Sequence, residues 1–155
     1  MRPRVLSSTS LFWFLMALVA GVCVPISASA PELKIEAHLL WGTNDTKPPA
    51  GKDYRPVDAE LRKKLKDLPL KWTNYFEVRR RTFSVPVGEL KKENISDRCA
   101  IEVKNLDNNL LEVSLIGKGK EVWKGKQALP QGNVLLLGGN APNSTGWFVV
   151  LKRSD

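Results

Sequence analysis

Histidine and cysteine are scarce in this chain. Its 155 residues include one histidine and two cysteines. So few cysteines exclude a small protein built around many disulfides. A single histidine excludes zinc sites that combine several imidazoles, and it leaves a histidine general base few partners. The modest length also excludes a large multidomain machine and fits one compact domain.

Acidic side chains are in the minority, with 16 Asp and Glu against 24 Lys and Arg. The formal charge is +8, and 43% of the residues are hydrophobic, which excludes a charge-dominated disordered chain. A basic surplus favours acidic partners. Part of it belongs to Arg2 and Arg4, which we expect to be removed with a targeting signal. Without them the chain keeps 22 basic residues and a charge of about +6.

A long apolar run occurs at residues 11–24. It follows the two arginines and precedes small residues at 27–30, and this order is the one that signal peptidase reads. The run is shorter than the roughly 20 residues that a spanning helix needs, and Pro25 ends it. We therefore predict a secretory signal peptide over residues 1–28.

The predicted signal leaves two points open. Cleavage after Ala28 is favoured, because cleavage after Ala30 would place Pro31 first. The prediction is then a single β-rich domain over residues 29–155, exported to the periplasm or outside the cell, with no membrane span in the mature chain. The alternative is a chain that stays anchored in the membrane at its N-terminus, by an uncleaved apolar run or by a lipid on Cys23.

Alternation of apolar and polar residues dominates the rest of the chain. Short alternating segments are typical of half-buried strands, and turn residues separate them. We therefore predict a mainly β domain with one short helix, folded as an antiparallel sandwich or a partly open barrel. The first segment places five apolar residues on one face, namely Leu33, Ile35, Ala37, Leu39 and Trp41.

Three segments have clear local signals. Residues 42–55 are rich in proline and glycine and predict a long exposed loop. The spacing of leucines predicts a helix over 57–68, with Asp58 as a capping residue near its start and Pro69 directly after its end. Residues 107–109 are Asp-Asn-Asn, which tolerates left-handed backbone and predicts a hairpin turn.

The apolar face of one strand changes parity between Phe76 and Phe83. Because a regular strand cannot change faces, we predict a bulge or bend near residues 79–81. Alternation also places Trp147 in the core. Trp123 lies in a lysine-rich hairpin and is predicted to be an exposed aromatic residue.

Three Asn-x-Ser/Thr motifs match the acceptor pattern for N-glycosylation. They begin at Asn44, Asn94 and Asn143, and all three lie in segments predicted to be loops, including a polar loop at 138–146. Their modification requires a host that glycosylates its exported proteins.

The residues with the most reactive side chains lack partners. His38 lies on the polar face of the first strand, where we predict an exposed imidazole. Cys99 shares the parity of Ile101 and Val103 and is predicted to be a buried, unreactive thiol. No segment has the spacing of a metal site, a catalytic nucleophile or a phosphate-binding loop. We therefore predict no catalytic, metal-binding or cofactor-binding residue and no cofactor.

Basic residues mixed with aromatic ones are the main functional signal. Such residues can hold acidic groups, and export favours a protein, a glycan or an anionic envelope surface over nucleic acid as the partner. The alternative is a solvated basic face that keeps the protein soluble. The candidate surface consists of Arg79, Arg80, Arg81, Lys118, Lys120, Trp123, Lys124 and Lys126.

Four segments carry a resemblance to known proteins. They are residues 39–44 (LLWGTN), 75–78 (YFEV), 137–139 (LGG) and 147–151 (WFVVL). Together they resemble small exported bacterial proteins without an assigned function. The resemblance implies an exported bacterial location and brings no catalytic residues.

These patterns predict an exported, non-enzymatic binding or accessory module whose ligand the sequence does not name. The alternative is a small hydrolase that acts on envelope or extracellular polymers through two carboxylates about 5–10 Å apart. A concave site that gathers polar groups among aromatic residues is the observation that would advance either hypothesis.

Overall fold

The computed structural model describes residues 31–141 and 143–155. The predicted signal peptide, including Cys23, lies outside the described residues. In the described part, nine strands and one helix build a β sandwich of two antiparallel sheets, which confirms the predicted fold class. The elements are β1 (Glu32–Thr43), β2 (Arg55–Pro56), α1 (Ala59–Lys66), β3 (Asn74–Pro86), β4 (Leu90–Ser96), β5 (Cys99–Asn105), β6 (Leu110–Gly117), β7 (Lys120–Ala128), β8 (Val134–Asn140) and β9 (Gly146–Arg153).

The two sheets are joined along one side and open along the other. The five-stranded sheet has the order β2-β3-β1-β9-β8, and the four-stranded sheet has the order β4-β5-β6-β7. A turn at Gly88 leads from β3 into β4 and connects the sheets. On the opposite side β7 and β8 are edge strands of different sheets, and within the described residues no backbone pairing joins them. The fold is therefore a sandwich and not a closed barrel.

The core between the sheets follows from the alternation in β1. Leu33, Ile35, Ala37 and Leu39 are buried in one cluster with apolar residues of the other sheet, such as Val113. Burying a valine or leucine side chain stabilises a fold by about 1.5–3 kcal/mol. The predicted apolar face of β1 is thus the inner face of the five-stranded sheet.

Helix α1 covers the outer face of the five-stranded sheet. Asp58 caps the helix, and its carboxylate accepts a 2.8 Å hydrogen bond from the backbone N–H of Leu61. Leu61 and Leu65 are buried in a second cluster with Leu40 and Val150 of the sheet. The helix lies inside the predicted range and needs this packing, because an isolated helix of its length is unstable in water.

The position of His38 corrects a prediction. Its side chain lies on the outer face of β1 and is 0% exposed, whereas the sequence predicts an exposed imidazole. Alternation reports the face on which a residue lies, but not whether another element covers that face.

Strand β3 contains the bulge that the change of parity predicts. Leu39 lies opposite Arg79, whereas Leu40 lies opposite Glu77, so Val78 is the extra residue. The bulge comes immediately before the three arginines. It places Arg79 on the inner face beside Leu39, and Glu77 on the outer face beside Leu40.

One predicted turn is confirmed, and one predicted loop is shorter than expected. Residues 107–109 all have positive φ and connect β5 to β6. The polar loop predicted at 138–146 is shorter, because β8 continues to Asn140 and β9 begins at Gly146.

Two further segments differ from the predictions. The loop predicted over 42–55 is shorter, since β1 extends to Thr43 and β2 follows at the other end. The sequence does not predict strand β4, because β4 is an edge strand whose side chains are mostly polar. Asn94 therefore lies in a strand and not in a loop, with an exposed side chain, while Asn44 and Asn143 are exposed outside the strands.

Candidate functional site

A cleft of about 1690 Å³ opens between the two sheets toward the β7–β8 side. Its walls come from the inner faces of both sheets. Its mouth lies among the β4–β5 turn, the β6–β7 turn and the loop before β2. Concave spaces of this kind are the usual place for small-molecule sites. We call it the inter-sheet cleft, and its lining includes Leu39, Arg79, Leu115, Trp123, Leu137 and Trp147.

The floor of the inter-sheet cleft is aliphatic. Leu39 from β1, Leu115 from β6 and Leu137 from β8 reach it and belong to the core between the sheets. Val78 and Leu135 lie in the same lining and are half-buried. The three leucines are almost completely buried, so an entering ligand would touch the floor mainly at Val78 and Leu135.

Trp123 forms the wall of the cleft on the β7 side. Its ring lies across Gly125, where a Cβ atom would come within 2.7 Å of the indole. Glycine thus gives the ring the space to lie along its own strand. Trp123 is half-buried and packs against the core, which differs from the freely exposed residue that the sequence predicts.

Trp147 lies at the mouth of the cleft, so its predicted core position is wrong. Its side chain is 39% exposed, and its ring meets that of Tyr54 edge-on at a centroid distance of 6.4 Å. Trp147 is the second residue of β9, and alternation does not show where the opposite sheet ends. Val122, which is 60% exposed, adds another apolar side chain to the lining. Exposed apolar groups around a cavity are typical of ligand sites.

Five basic side chains of the lining form no ion pair with any residue in the described part of the chain. Two carboxylates without such a pair, Asp53 and Asp97, accompany them, so basic charge predominates. Cations beside an apolar floor favour an anionic ligand, because it gains both charge complementarity and burial. The five residues are Lys52, Arg55, Arg79, Arg98 and Lys118.

Two of these cations stand on the same rim. The backbone N–H of Lys118 donates a 2.8 Å hydrogen bond to the carbonyl of Arg98 and ties the β6–β7 turn to the β4–β5 turn. Lys118 and Gly119 both have positive φ, as a tight hairpin turn requires. The strand connections therefore bring together two basic residues that are far apart in the sequence.

The structure brings together only part of the predicted basic and aromatic surface. Arg79, Lys118 and Trp123 meet in the inter-sheet cleft. Arg80 also borders it, but this residue is paired with His38 across to β1 and lies on the outer face of β3.

The other four residues of the predicted surface lie outside the cleft lining. Arg81 lies 4.0 Å from Glu93, and Lys124 lies 3.6 Å from Glu112. The remaining two, Lys120 and Lys126, are exposed on the edge strand β7.

Three basic residues of the cleft were beyond the reach of sequence reasoning. Lys52 lies in the loop before β2, Arg55 is the first residue of β2, and Arg98 lies in the β4–β5 turn. None of them belongs to a run of basic residues, and only the fold shows that these segments line one cleft. Their position beside turn residues is the one signal that could have indicated them.

A second group of charged residues lies on the outer face of the five-stranded sheet. His38 Nδ1 is 2.7 Å from Glu77 Oε2. His38 Nε2 is 3.2 Å from Glu36 Oε1, but the geometry of this contact is not that of a hydrogen bond. Arg80 lies 3.0 Å from Glu36 and 2.9 Å from Glu77, and Lys152 lies 3.4 Å from Glu36. We call these five residues the His38 cluster.

Two carboxylates in this region, those of Glu77 and Asp58, have a pKa below the usual value. Burial acts to raise the pKa of Glu77, but hydrogen bonds from Arg80 and His38 outweigh it and leave that pKa below its usual value. The backbone hydrogen bond from Leu61 likewise lowers the pKa of Asp58, whose carboxylate is 3.8 Å from Arg80. Such groups are suited to ion pairing and not to proton donation near neutral pH.

Cys99 contributes a thiol to the inter-sheet cleft. It is half-buried, which is less than the sequence predicts, and it packs against the core. Burial raises the pKa of this thiol, so it is protonated near neutral pH and reacts slowly.

Comparison of the chain with protein-family models, with curated proteins and with solved structures finds no match. Within residues 31–141 and 143–155, no cluster of three or more His, Cys, Asp or Glu side chains is arranged to hold a metal ion. No helix of that part is long and apolar enough to cross a membrane. The inter-sheet cleft is therefore the feature from which we infer a function.

Proposed function

We propose that this protein is an exported, non-enzymatic binding module that holds its ligand in the inter-sheet cleft. One observation carries the proposal: an aliphatic floor lies among five basic side chains that have no ion-pair partner within the described residues. Burying apolar ligand surface there contributes about 25 cal/mol per Å². An acidic group on the same ligand would meet the cations.

The cleft narrows the range of partners that the sequence suggests. A protein partner would need a large surface, since stable interfaces bury about 1,200–2,000 Å². The cleft is concave and offers its apolar groups from inside the sandwich. A small anionic component of the envelope or its surroundings fits this shape better.

The hydrolase alternative has less support. A hydrolase that works through two carboxylates needs one of them protonated, and this requires a raised pKa. Glu77, which borders the cleft, has a lowered pKa and is engaged by both Arg80 and His38. Glu77 is therefore not suited to act as the general acid of such a pair.

Export is the second part of the proposal. It is supported by the order of basic, apolar and small residues at the N-terminus, which lies outside the described residues. Fractionation of the host cells and mass spectrometry of the protein test it. We expect a chain that begins after Ala28 or Ala30 in the exported fraction. A full-length chain confined to the cytoplasm would contradict export but not the binding site.

Binding in the cleft can be tested without knowing the natural ligand. The dye 1-anilinonaphthalene-8-sulfonate combines an apolar ring system with an anionic group, and its fluorescence reports binding. Arg79→Gln should weaken dye binding by at least about tenfold, because a charge-assisted contact is worth roughly 1.5–3 kcal/mol. Lys124→Gln, at a residue outside the lining that pairs with Glu112, is the matched control and should leave binding unchanged.

Two outcomes would count against the binding proposal. The dye also binds partly unfolded proteins, so circular dichroism must show that each variant is folded as the unchanged protein is. If folded protein binds no dye, or if Arg79→Gln and Lys124→Gln weaken binding equally, the inter-sheet cleft is not the site.

A further inference from the structure

We infer that the ligand of the inter-sheet cleft is a single-chain fatty acid anion, taken up as a free monomer. Its aliphatic chain would lie on the floor and its carboxylate at the basic rim. This inference rests on the proposed function and names the chemical class of the ligand. Three properties of the cleft lead to it, namely the aliphatic floor, the small number of uncharged polar side chains and the cations at the mouth.

The floor offers branched aliphatic side chains along its length. Val78 and Leu135 are half-buried and present part of their surface to the cleft, whereas Leu39, Leu115 and Leu137 of the same lining are each no more than 7% exposed and support them from the core. A flexible alkyl chain can follow such a surface, and each buried methylene contributes about 0.8 kcal/mol. A long chain therefore gains more here than a short or rigid ligand.

Uncharged groups that could bind sugar hydroxyls are few in the lining. The amide and hydroxyl side chains there are Tyr54, Ser96, Gln127 and Asn140, and they come from four different segments. An oligosaccharide would bury many hydroxyls, and each buried hydroxyl without a partner is unfavourable. The lining thus favours an alkyl chain over an acidic sugar.

The mouth of the cleft supplies partners for one anionic head. Arg98 and Lys118 are neighbours through their backbone hydrogen bond of 2.8 Å, and Arg79 projects from the inner face of β3. A guanidinium binds a carboxylate with two parallel hydrogen bonds, which adds direction to the charge attraction. A fatty acid has its carboxylate at one end of an alkyl chain. It can therefore contact the cations at the mouth with its carboxylate while its chain lies on the aliphatic floor.

The shape of the cleft favours a free monomer over a lipid that stays in a bilayer. The aliphatic side chains that a ligand can touch, the half-buried Val78 and Leu135, lie between the two sheets and pack against the core. A flat membrane surface could reach Val122 and Trp147 at the exposed rim, but not the floor. A chain that leaves the membrane or arrives in solution can enter between the sheets.

The protein offers two reporters of an occupied cleft. Trp123 and Trp147 line it, so their fluorescence should change when a chain covers them. Cys99 also lines it, and a bound chain should shield its thiol from alkylation. In the full chain, Cys23→Ser leaves Cys99 as the single thiol, since the sequence has two cysteines.

The experiment titrates this full-length Cys23→Ser protein with palmitate below its micelle concentration. We expect a change in tryptophan fluorescence and about tenfold slower alkylation of Cys99 at saturation. Hexadecanol has the same chain without the charge and should bind at least about tenfold more weakly. Arg79→Gln should raise the Kd for palmitate by about tenfold, and Lys124→Gln should not change it.

Three other probes separate the competing occupants. Oligogalacturonate represents an acidic sugar, phosphatidylglycerol vesicles represent a bilayer, and hexanoate has the head group with a short chain. Stronger binding of any one of them than of palmitate would overturn the inference. If palmitate fails while the dye still depends on Arg79, the ligand class is wrong and the binding module stands. If the folded protein binds neither, both proposals are wrong.

Discussion

Single side chains decide the charge balance on the outer face of the five-stranded sheet. His38 is buried, and its ring meets carboxylates from both β1 and β3. The bulge at Val78 allows this contact, because it puts Glu77 and Arg80, three positions apart, on the same face. Removing one member of such a buried cluster leaves charges without a partner, which is unfavourable.

Replacing His38 with alanine is therefore expected to lower the free energy of unfolding by about 3 kcal/mol. Glu77 loses its 2.7 Å contact, and a cavity remains at the position of the imidazole. Urea denaturation near neutral pH measures the change. Lys120→Ala, at an exposed site on β7, is the control and should change stability by less than about 0.5 kcal/mol. An equally small change for His38→Ala would contradict a stabilising role of the cluster.

The lowered pKa of Glu77 predicts a loss of stability in acid. Because its pKa in the folded state lies below the ordinary value of 4.5, Glu77 contributes its full stabilisation above that pH. The contribution is lost as the pH falls from 4.5 toward the folded-state pKa. Between about pH 7 and about pH 3, the free energy of unfolding measured in urea should fall less for Glu77→Gln than for the unchanged protein.

The matched control for this pH profile is Glu121→Gln, at an exposed position on β7. The free energy of unfolding of Glu121→Gln should change with pH in the same way as that of the unchanged protein. Parallel profiles for Glu77→Gln and the unchanged protein would mean that the pairing of Glu77 with Arg80 and His38 does not affect acid stability.

At the scale of elements, two neighbouring glycines of β8 differ in how closely β9 approaches them. Gly138 has a φ of +129°, and a Cβ atom there would lie 2.2 Å from the backbone oxygen of Trp147. Gly139 has no atom within 4 Å of such a position. Only the first glycine is required by the close approach of the two strands.

Gly138→Ala should therefore lower the free energy of unfolding by about 2 kcal/mol or more, since it forces an L side chain into a strained backbone and a backbone contact. Gly139→Ala should change it by no more than about 0.5 kcal/mol. Thermal unfolding of the two variants measures the difference. If the two variants lost equal stability, the close approach of β9 to Gly138 alone would be contradicted.

The sequence predicted the elements whose structure is indicated by their own residues. β1 has two chemically different faces, α1 has Asp58 as its cap, and residues 107–109 accept left-handed backbone. β4 and the burial of His38 depend on neighbours from other parts of the chain. The cleft was only partly predictable for the same reason, because Arg98 and Lys118 meet through the strand order.

At the scale of the whole molecule, the topology explains why the cleft exists. β7 and β8 follow one another in the chain but lie in different sheets. Leu129, in the connection between them, is buried in the core, and within the described residues no backbone pairing joins the two edges. Lysines along β7 discourage pairing with another strand and help to keep this side open. Closure into a barrel would cover the aliphatic floor.

The central claim is that the ligand lies in the inter-sheet cleft and not on the helix side of the five-stranded sheet. The tryptophan indole N–H signals in nuclear magnetic resonance spectra of labelled protein test it most directly during a titration with palmitate. Trp123 and Trp147 line the cleft, whereas Trp72 lies in the buried cluster beneath α1 and donates a 2.8 Å hydrogen bond to the carbonyl of Ser144. We expect the signals of Trp123 and Trp147 to shift and that of Trp72 to stay. A shift of Trp72 without shifts of the other two would contradict the claim.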